Sequence, residues 1–198
     1  MAQPMDRTGL EGALAALGDV LAYRGEAYEI VLVGGGDLVL RGIISRSTKD
    51  ADIVGQRMSN GHIVPIHRLP DALARAVSEV ADAHDLASDW LNVGPESLLD
   101  LGLPAGFEDR LAAKHYRGLT VWLAGVYDLV CFKLYAAADH WPSRDRHLDD
   151  LRALHPTEAD LLSSARWSMT HDPSPAFRGQ LTAVLVHLGV EDADARLD

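Results

Sequence analysis

Two aspartates separated by one alanine, Asp50 and Asp52, are the residues of this chain whose type and spacing point first to chemistry. In an extended strand alternate side chains share a face, about 6.6 Å apart along the chain. Asp50 and Asp52 therefore project together, with Ala51 and Ile53 on the other side. Carboxylates converging at the rim of a sheet repel one another unless a cation lies between them, and oxygen ligands of this kind suit Mg²⁺. Two such ions, ~3.5–4 Å apart, would activate an attacking oxygen and stabilise a leaving pyrophosphate. Taken alone, Asp-x-Asp is common, and a capping Asp50 beside a solvated Asp52 is its ordinary reading.

What precedes the pair changes its weight. Gly34-Gly35-Gly36 follows the apolar run Tyr28-Glu29-Ile30-Val31-Leu32-Val33, where a strand would pass into a helix. Without Cβ atoms, these glycines let their N–H groups approach phosphate oxygens. Thirteen residues separate Gly36 from Asp50, enough for one short helix that returns the chain to an adjacent strand. Between them lie Arg46, a bidentate phosphate clamp or a surface loop arginine, and Thr48. Further on, Lys133 sits among Leu129, Val130, Phe132 and Leu134, so its ammonium either snorkels to water or faces an anion.

The elements that must position these groups follow from periodicity. Residues 7–24 place Leu10, Leu14, Leu17, Val20 and Leu21 on one helical face. Strands are expected at 28–33, about 50–54, 62–66 and about Trp90-Leu91-Asn92, with helical character over 37–44 and a helix from Pro70 to about 84. A hairpin of 110–116 and 119–124 would turn at Arg117-Gly118, and helices follow at 126–140, 144–154, 157–170 and 174–189. The fold class expected is α+β: a mixed sheet with flanking helices and a C-terminal helical lobe. The division falls at 1–125 for the sheet domain and 126–198 for the helical lobe, packed on it.

Composition narrows the function. With 29 acidic and 18 basic residues, the formal net charge is −11, which argues against nonspecific coating of nucleic acid. The tail Glu191–Asp198 adds to the acidity and is expected to fray. No apolar run reaches the ~18–20 residues that cross a bilayer, and Met1–Leu10 shows no signal peptide. One cysteine, Cys131, fits a buried thiol in a reducing, cytoplasmic compartment. His140, His147 and His155 form no His-x-x-x-His ligand pair, and surface or capping roles suit them.

Val33-Gly34-Gly35-Gly36-Asp37-Leu38, Arg41-Gly42 and Arg46-Ser47-Thr48-Lys49-Asp50-Ala51-Asp52-Ile53 together resemble the first motif of the minimal nucleotidyltransferase superfamily. Within it, the resemblance is to the group containing the AbiEii-type and MenT-type toxins and their DUF6036-like relatives. It continues in Trp90-Leu91-Asn92, in Asp128–Leu134 and in Arg144–Leu151, and so covers roughly residues 28–155. The resemblance implies a nucleotidyltransferase-type sheet and Mg²⁺-dependent transfer of a nucleoside monophosphate from an NTP to an acceptor hydroxyl. The acceptor it implies is the 3′ end of tRNA, in a toxin with a cognate antitoxin. Two alternatives stand beside this: nucleotidylation of a protein or small molecule, and a non-catalytic nucleotide- or partner-binding remnant of the fold.

The catalytic set so implied is Asp50, Asp52, Lys133 and Asp150, with Asp50 and Asp52 holding one or two Mg²⁺ ions. The nucleotide-binding set is Gly34, Gly35, Gly36, Arg46, Thr48 and Lys133. Lys133 would contact the triphosphate, with Asp150 holding its ammonium, or Asp149 if the register shifts by one. A hydroxyl residue at the place of Thr48 accepts phosphate in MenT-type toxins, which here would repel a triphosphate. Arg144, Asp145, Arg146 and His147 open the next helix, with Asp145 as a cap; relatives often carry an aspartate at the place of His147. Asp37, just after the glycines, is expected to compete with phosphate. A third carboxylate is not evident; Asp89 and Glu96 are candidates, and Asn92 is a neutral substitute.

Overall fold

The first helix begins where Asp6 caps it, accepting a hydrogen bond from the Gly9 N–H at 2.8 Å. In the computed structural model, which describes residues 4–94, 102–143 and 146–197, this helix is α1 (Arg7–Tyr23). It buries Leu10, Leu14, Leu17 and Leu21, as the apolar stripe requires. The chain divides into two units, Met1–Asp100 with Gly106–Ala124, and Leu101–Ala105 with Gly125–Asp198.

In the first unit, α1 leads to β1 (Tyr28–Val33), α2 (Gly34–Arg41) and β2 (Ala51–Arg57). Then come β3 (Ile63–Pro65), α3 (Asp71–His84), β4 (Leu91–Val93), β5 (Ala112–Tyr116) and β6 (Leu119–Leu123). The sheet runs β3-β2-β1-β6-β5, with β4 also against β2. β1 pairs antiparallel with β2 and parallel with β6, and β5–β6 is an antiparallel hairpin. On its other edge, β2 pairs parallel with β4 over Ala51–Ile53 and antiparallel with β3 over Gly55–Arg57. This is an α+β fold built on a mixed sheet.

Strand alternation sets the two faces of this sheet. Ile30, Leu32, Ala51, Ile53, Leu119, Val121 and Leu123 join the buried core with the α1 leucines and with Leu73, Val77 and Val80 of α3. Trp90, fully buried, donates its indole N–H to the Val77 carbonyl at 3.1 Å. Between Ala51 and Ile53, Asp52 falls on the opposite face. The helix after β1 starts earlier than its side-chain pattern suggests, at Gly34 rather than at Asp37. Glycine is a poor helix former, so the pattern hides these residues in the first turn.

The second unit holds α4 (Val126–Asp139), α5 (Arg146–Ala153), α6 (Glu158–His171) and α7 (Pro175–His187). Helix α4 packs against the other three, which explains why Leu129, Val130, Cys131, Phe132 and Leu134 are all buried. Thr157 and Asp160 form a capping box at α6, and Ser174 caps α7 with Pro175 in its first turn. Cys131 is a buried thiol that donates to Ser164 Oγ at 3.2 Å. The acidic tail is held, contrary to the expectation of fraying. Ala193 and Leu197 are buried, and Arg178 pairs with Asp194 at 2.8 Å. Arg196 pairs with Glu158 as well. Two leftover apolar residues and two arginines fix a segment whose composition reads as solvated.

Among the described residues no helix is long and apolar enough to cross a membrane.

Candidate functional site

Gly34, Gly35 and Gly36 are the first three residues of α2, and the N-cap residue, Val33, offers no side-chain cap. The N–H groups of a first turn lack intrahelical acceptors and carry the positive end of the helix dipole. That is the standard setting for a bound phosphate. Gly34 has φ +76°, a left-handed backbone that side-chain-bearing residues adopt only with strain.

The aspartates arrive on a segment fixed from both sides. Thr48 exchanges backbone hydrogen bonds with Met5, at 2.7 and 2.8 Å, and its hydroxyl donates to the Asp50 carbonyl at 2.8 Å. Ala51 N–H then donates to the Trp90 carbonyl at 2.7 Å, beginning β2. Asp50 stands one residue ahead of the strand and Asp52 is its second residue; both are half-buried. A Cβ on Gly34 would lie 3.0 Å from Asp52 Oδ2. A Cβ on Gly94, at the end of β4, would lie 2.6 Å from Asp52 Cβ and 3.3 Å from its Oδ1. Asp52 thus lies in a cradle with a glycine on each side. Near Gly35, Thr48 Oγ1 and the Arg46 guanidinium stand 3.4 and 3.8 Å from where a Cβ would be. The first turn of α2 therefore has a cation and a hydroxyl on one side and a carboxylate on another.

Asn92 pairs with Asp52 across β4 and β2, and its Nδ2 donates to the Asp89 carbonyl at 3.3 Å. Asp89 itself is exposed, and Glu96 lies outside the described residues. Among the described residues no group of three or more His, Cys, Asp or Glu side chains could hold a metal ion. The donors present nevertheless fit Mg²⁺. That ion keeps several waters and binds through one or two carboxylates plus substrate phosphates, not through a full protein cage. The glycines at positions 34 and 94 let the backbone close on Asp52 where a side chain would clash with it.

Asp37 departs from expectation. It is fully buried, accepts the Ala124 N–H at 2.7 Å through Oδ2, and accepts Arg41 Nε at 2.7 Å through Oδ1. Arg41 donates in turn to the Ala124 carbonyl. Asp37 therefore ties α2 to the end of β6; its carboxylate is engaged there and does not compete for phosphate. Sequence reasoning also passed over Gly94. A glycine two residues beyond Asn92 was the available signal, and it needed the β2–β4 register to be read.

In the helical unit Lys133 is 5% exposed and Asp150 1%. Lys133 Nζ donates to Asp150 Oδ2 at 2.7 Å, whereas Asp149 is exposed and pairs with Arg152 at 3.3 Å. The partner of the lysine is Asp150, without the one-residue shift. Arg146 is exposed, and the His140 and His147 rings meet at 5.1 Å. Arg144 and Asp145 lie outside the described residues.

An uncapped glycine turn, a neighbouring guanidinium and a strand-borne aspartate pair in this order mark the nucleotidyltransferase class. The chain belongs to the family described as nucleotidyltransferase of unknown function, DUF6036, whose model matches residues 13–153. That span includes the glycine turn, both aspartates, Lys133 and Asp150. Searches of curated proteins and of solved structures gave no match.

Proposed function

We propose that this protein moves a nucleoside monophosphate from an NTP to an acceptor hydroxyl, with Asp50 and Asp52 holding divalent metal. The observation that carries the reading is the Asp52 carboxylate set against Gly34, the first residue of an uncapped helix. Metal ligand and phosphate donors then address the same triphosphate. Bound Mg²⁺ would supply charge neutralisation on the phosphates and polarise the attacking oxygen.

The chain's own groups do the positioning. The amides of Gly34–Gly36 and the Arg46 guanidinium bind phosphate oxygens, and Thr48 fixes the turn that presents Asp50. Lys133, oriented by its hydrogen bond to Asp150, is assigned to the triphosphate by its place in the family motif. The acceptor oxygen forms a bond to the α-phosphorus while the bond to the bridging oxygen of the β-phosphate breaks, and pyrophosphate leaves. With an amide at Asn92 where a carboxylate base could stand, the hydroxyl proton passes to a non-bridging phosphate oxygen. Catalysis then rests on orientation and electrostatics.

The acceptor to test first is the tRNA 3′-terminal hydroxyl, because the motif order resembles that of the AbiEii-type and MenT-type toxins. The net charge of −11 favours a second reading, in which a protein or small molecule takes the nucleotide, since extended RNA contact calls for a basic surface. Incubation with each α-labelled NTP and either tRNA or cell protein separates these. Label on tRNA supports the first reading, and label on protein with bare tRNA the second. NTP binding without pyrophosphate release under any condition would leave only a nucleotide-binding role.

A further inference from the structure

Residues 44–50, in the loop that joins α2 to β2, carry Arg46, Thr48 and Asp50. Among the described residues, the backbone–backbone hydrogen bonds of this stretch are both made with Met5. Met5 N–H donates to the Thr48 carbonyl at 2.7 Å, and Thr48 N–H donates to the Met5 carbonyl at 2.8 Å. The two residues form an isolated antiparallel bridge. Met5 is anchored on its own side. Its side chain is 4% exposed and lies in the core cluster with Leu10 and Leu14, and the next residue, Asp6, caps α1. The loop therefore takes its fixed point from α1, and not from the helix and strand that it joins.

Resting on the nucleotidyl-transfer reading, we infer that Met5 is a positioning residue for that reaction. It acts through the loop. Its backbone holds Thr48, the Thr48 hydroxyl donates to the Asp50 carbonyl at 2.8 Å, and Arg46 stands two residues before Thr48. A loop without this fastening samples many backbone states, and ordering it would cost free energy each time substrate binds. With the bridge in place, the guanidinium and the first aspartate are oriented before the triphosphate arrives.

The test compares the full chain with Met5→Pro, Met5→Leu and Leu21→Ala. Proline removes the N–H that the Thr48 carbonyl accepts, whereas leucine keeps both backbone groups and most of the side-chain volume. Leu21→Ala opens a cavity at the far end of α1, where Leu21 is fully buried. Amide exchange followed by NMR should show the parent Thr48 N–H protected, and exchange at least ~10-fold faster in Met5→Pro with the buried α1 amides unchanged. In Met5→Pro, kcat/KM for pyrophosphate release should fall by on the order of 100-fold. Met5→Leu and Leu21→Ala, assayed well below their melting temperatures, should stay near the parent. A parent Thr48 amide that exchanges like an open loop overturns the inference, and this arm needs no variant to fold. Full turnover by Met5→Pro with α1 protected overturns it too. So does an equal loss of turnover in Leu21→Ala, which would make the effect one of stability. Failure of the underlying reading looks different: the parent would release no pyrophosphate from any NTP, and the Thr48 exchange rates alone would then decide on the bridge.

Discussion

Gly34 and Asp52 are so close that a Cβ on the glycine would stand 3.0 Å from the aspartate's Oδ2. The same glycine has φ +76°. Gly34→Ala therefore combines a backbone cost of about 1–2 kcal/mol with displacement of the carboxylate. Urea denaturation should show that modest loss. Steady-state pyrophosphate release should fall by on the order of 100-fold, because misplacement of about 1 Å has that effect on an oriented reaction. A variant with the stability loss and full activity would detach the cradle from catalysis.

Arg46 brings its guanidinium near the first turn of α2, 3.8 Å from where a Gly35 Cβ would be. If it clamps phosphate, Arg46→Ala should raise KM for NTP by roughly 10–100-fold, the worth of a charge-assisted hydrogen bond. Arg46→Lys should recover only part, because a point charge does not replace a planar fork. Unchanged KM in both variants would return Arg46 to the status of a loop arginine.

Lys133 and Asp150 form a buried pair at 2.7 Å. Lys133→Ala should lower stability by about 3–5 kcal/mol, because it breaks a buried ion pair by removing one partner. The double variant Lys133→Met with Asp150→Leu should melt near the parent, since apolar replacements of similar volume often match a buried ion pair. Neither should transfer nucleotide. Restored activity in the stable double variant would make the pair structural.

Much of this was legible beforehand because it depends on local rules. The apolar stripe of α1, the Arg117-Gly118 hairpin and the four C-terminal helices each follow from periodicity and turn residues. The Asp-x-Asp pair and the glycine turn were legible for the same reason. What escaped depends on partners remote in sequence. Asp37 turns inward because Ala124, 87 positions away, offers an unpaired N–H. Gly94 matters only once β4 lies beside β2. The acidic tail is fixed by Arg178 and by Glu158 on other helices, which no composition argument would show.

His171 gives the helical unit a pH response. Burial pushes its imidazole below the ordinary value, opposed by the hydrogen bond of Nε2 with the Gly102 carbonyl at 2.9 Å. A carbonyl only accepts, so Nε2 carries the proton. Because the folded state takes up the second proton less readily than the unfolded chain, stability is full above about pH 6.5 and declines on acidification below it. Thermal melts between about pH 7.5 and pH 5.5 should show a smaller acid-induced drop in His171→Phe than in the parent. Identical drops would exclude His171 as a source.

The central claim is that a nucleotidyl group, and not a terminal phosphate, leaves the NTP under the control of Asp52. The most direct measurement compares α-labelled with γ-labelled NTP in the presence of tRNA and cell protein, for the parent and a folded Asp52→Asn variant. The account predicts α-label joined to an acceptor by the parent only, with the γ-label released as pyrophosphate. Transfer of the γ-label, or undiminished α-label transfer by Asp52→Asn, would contradict it.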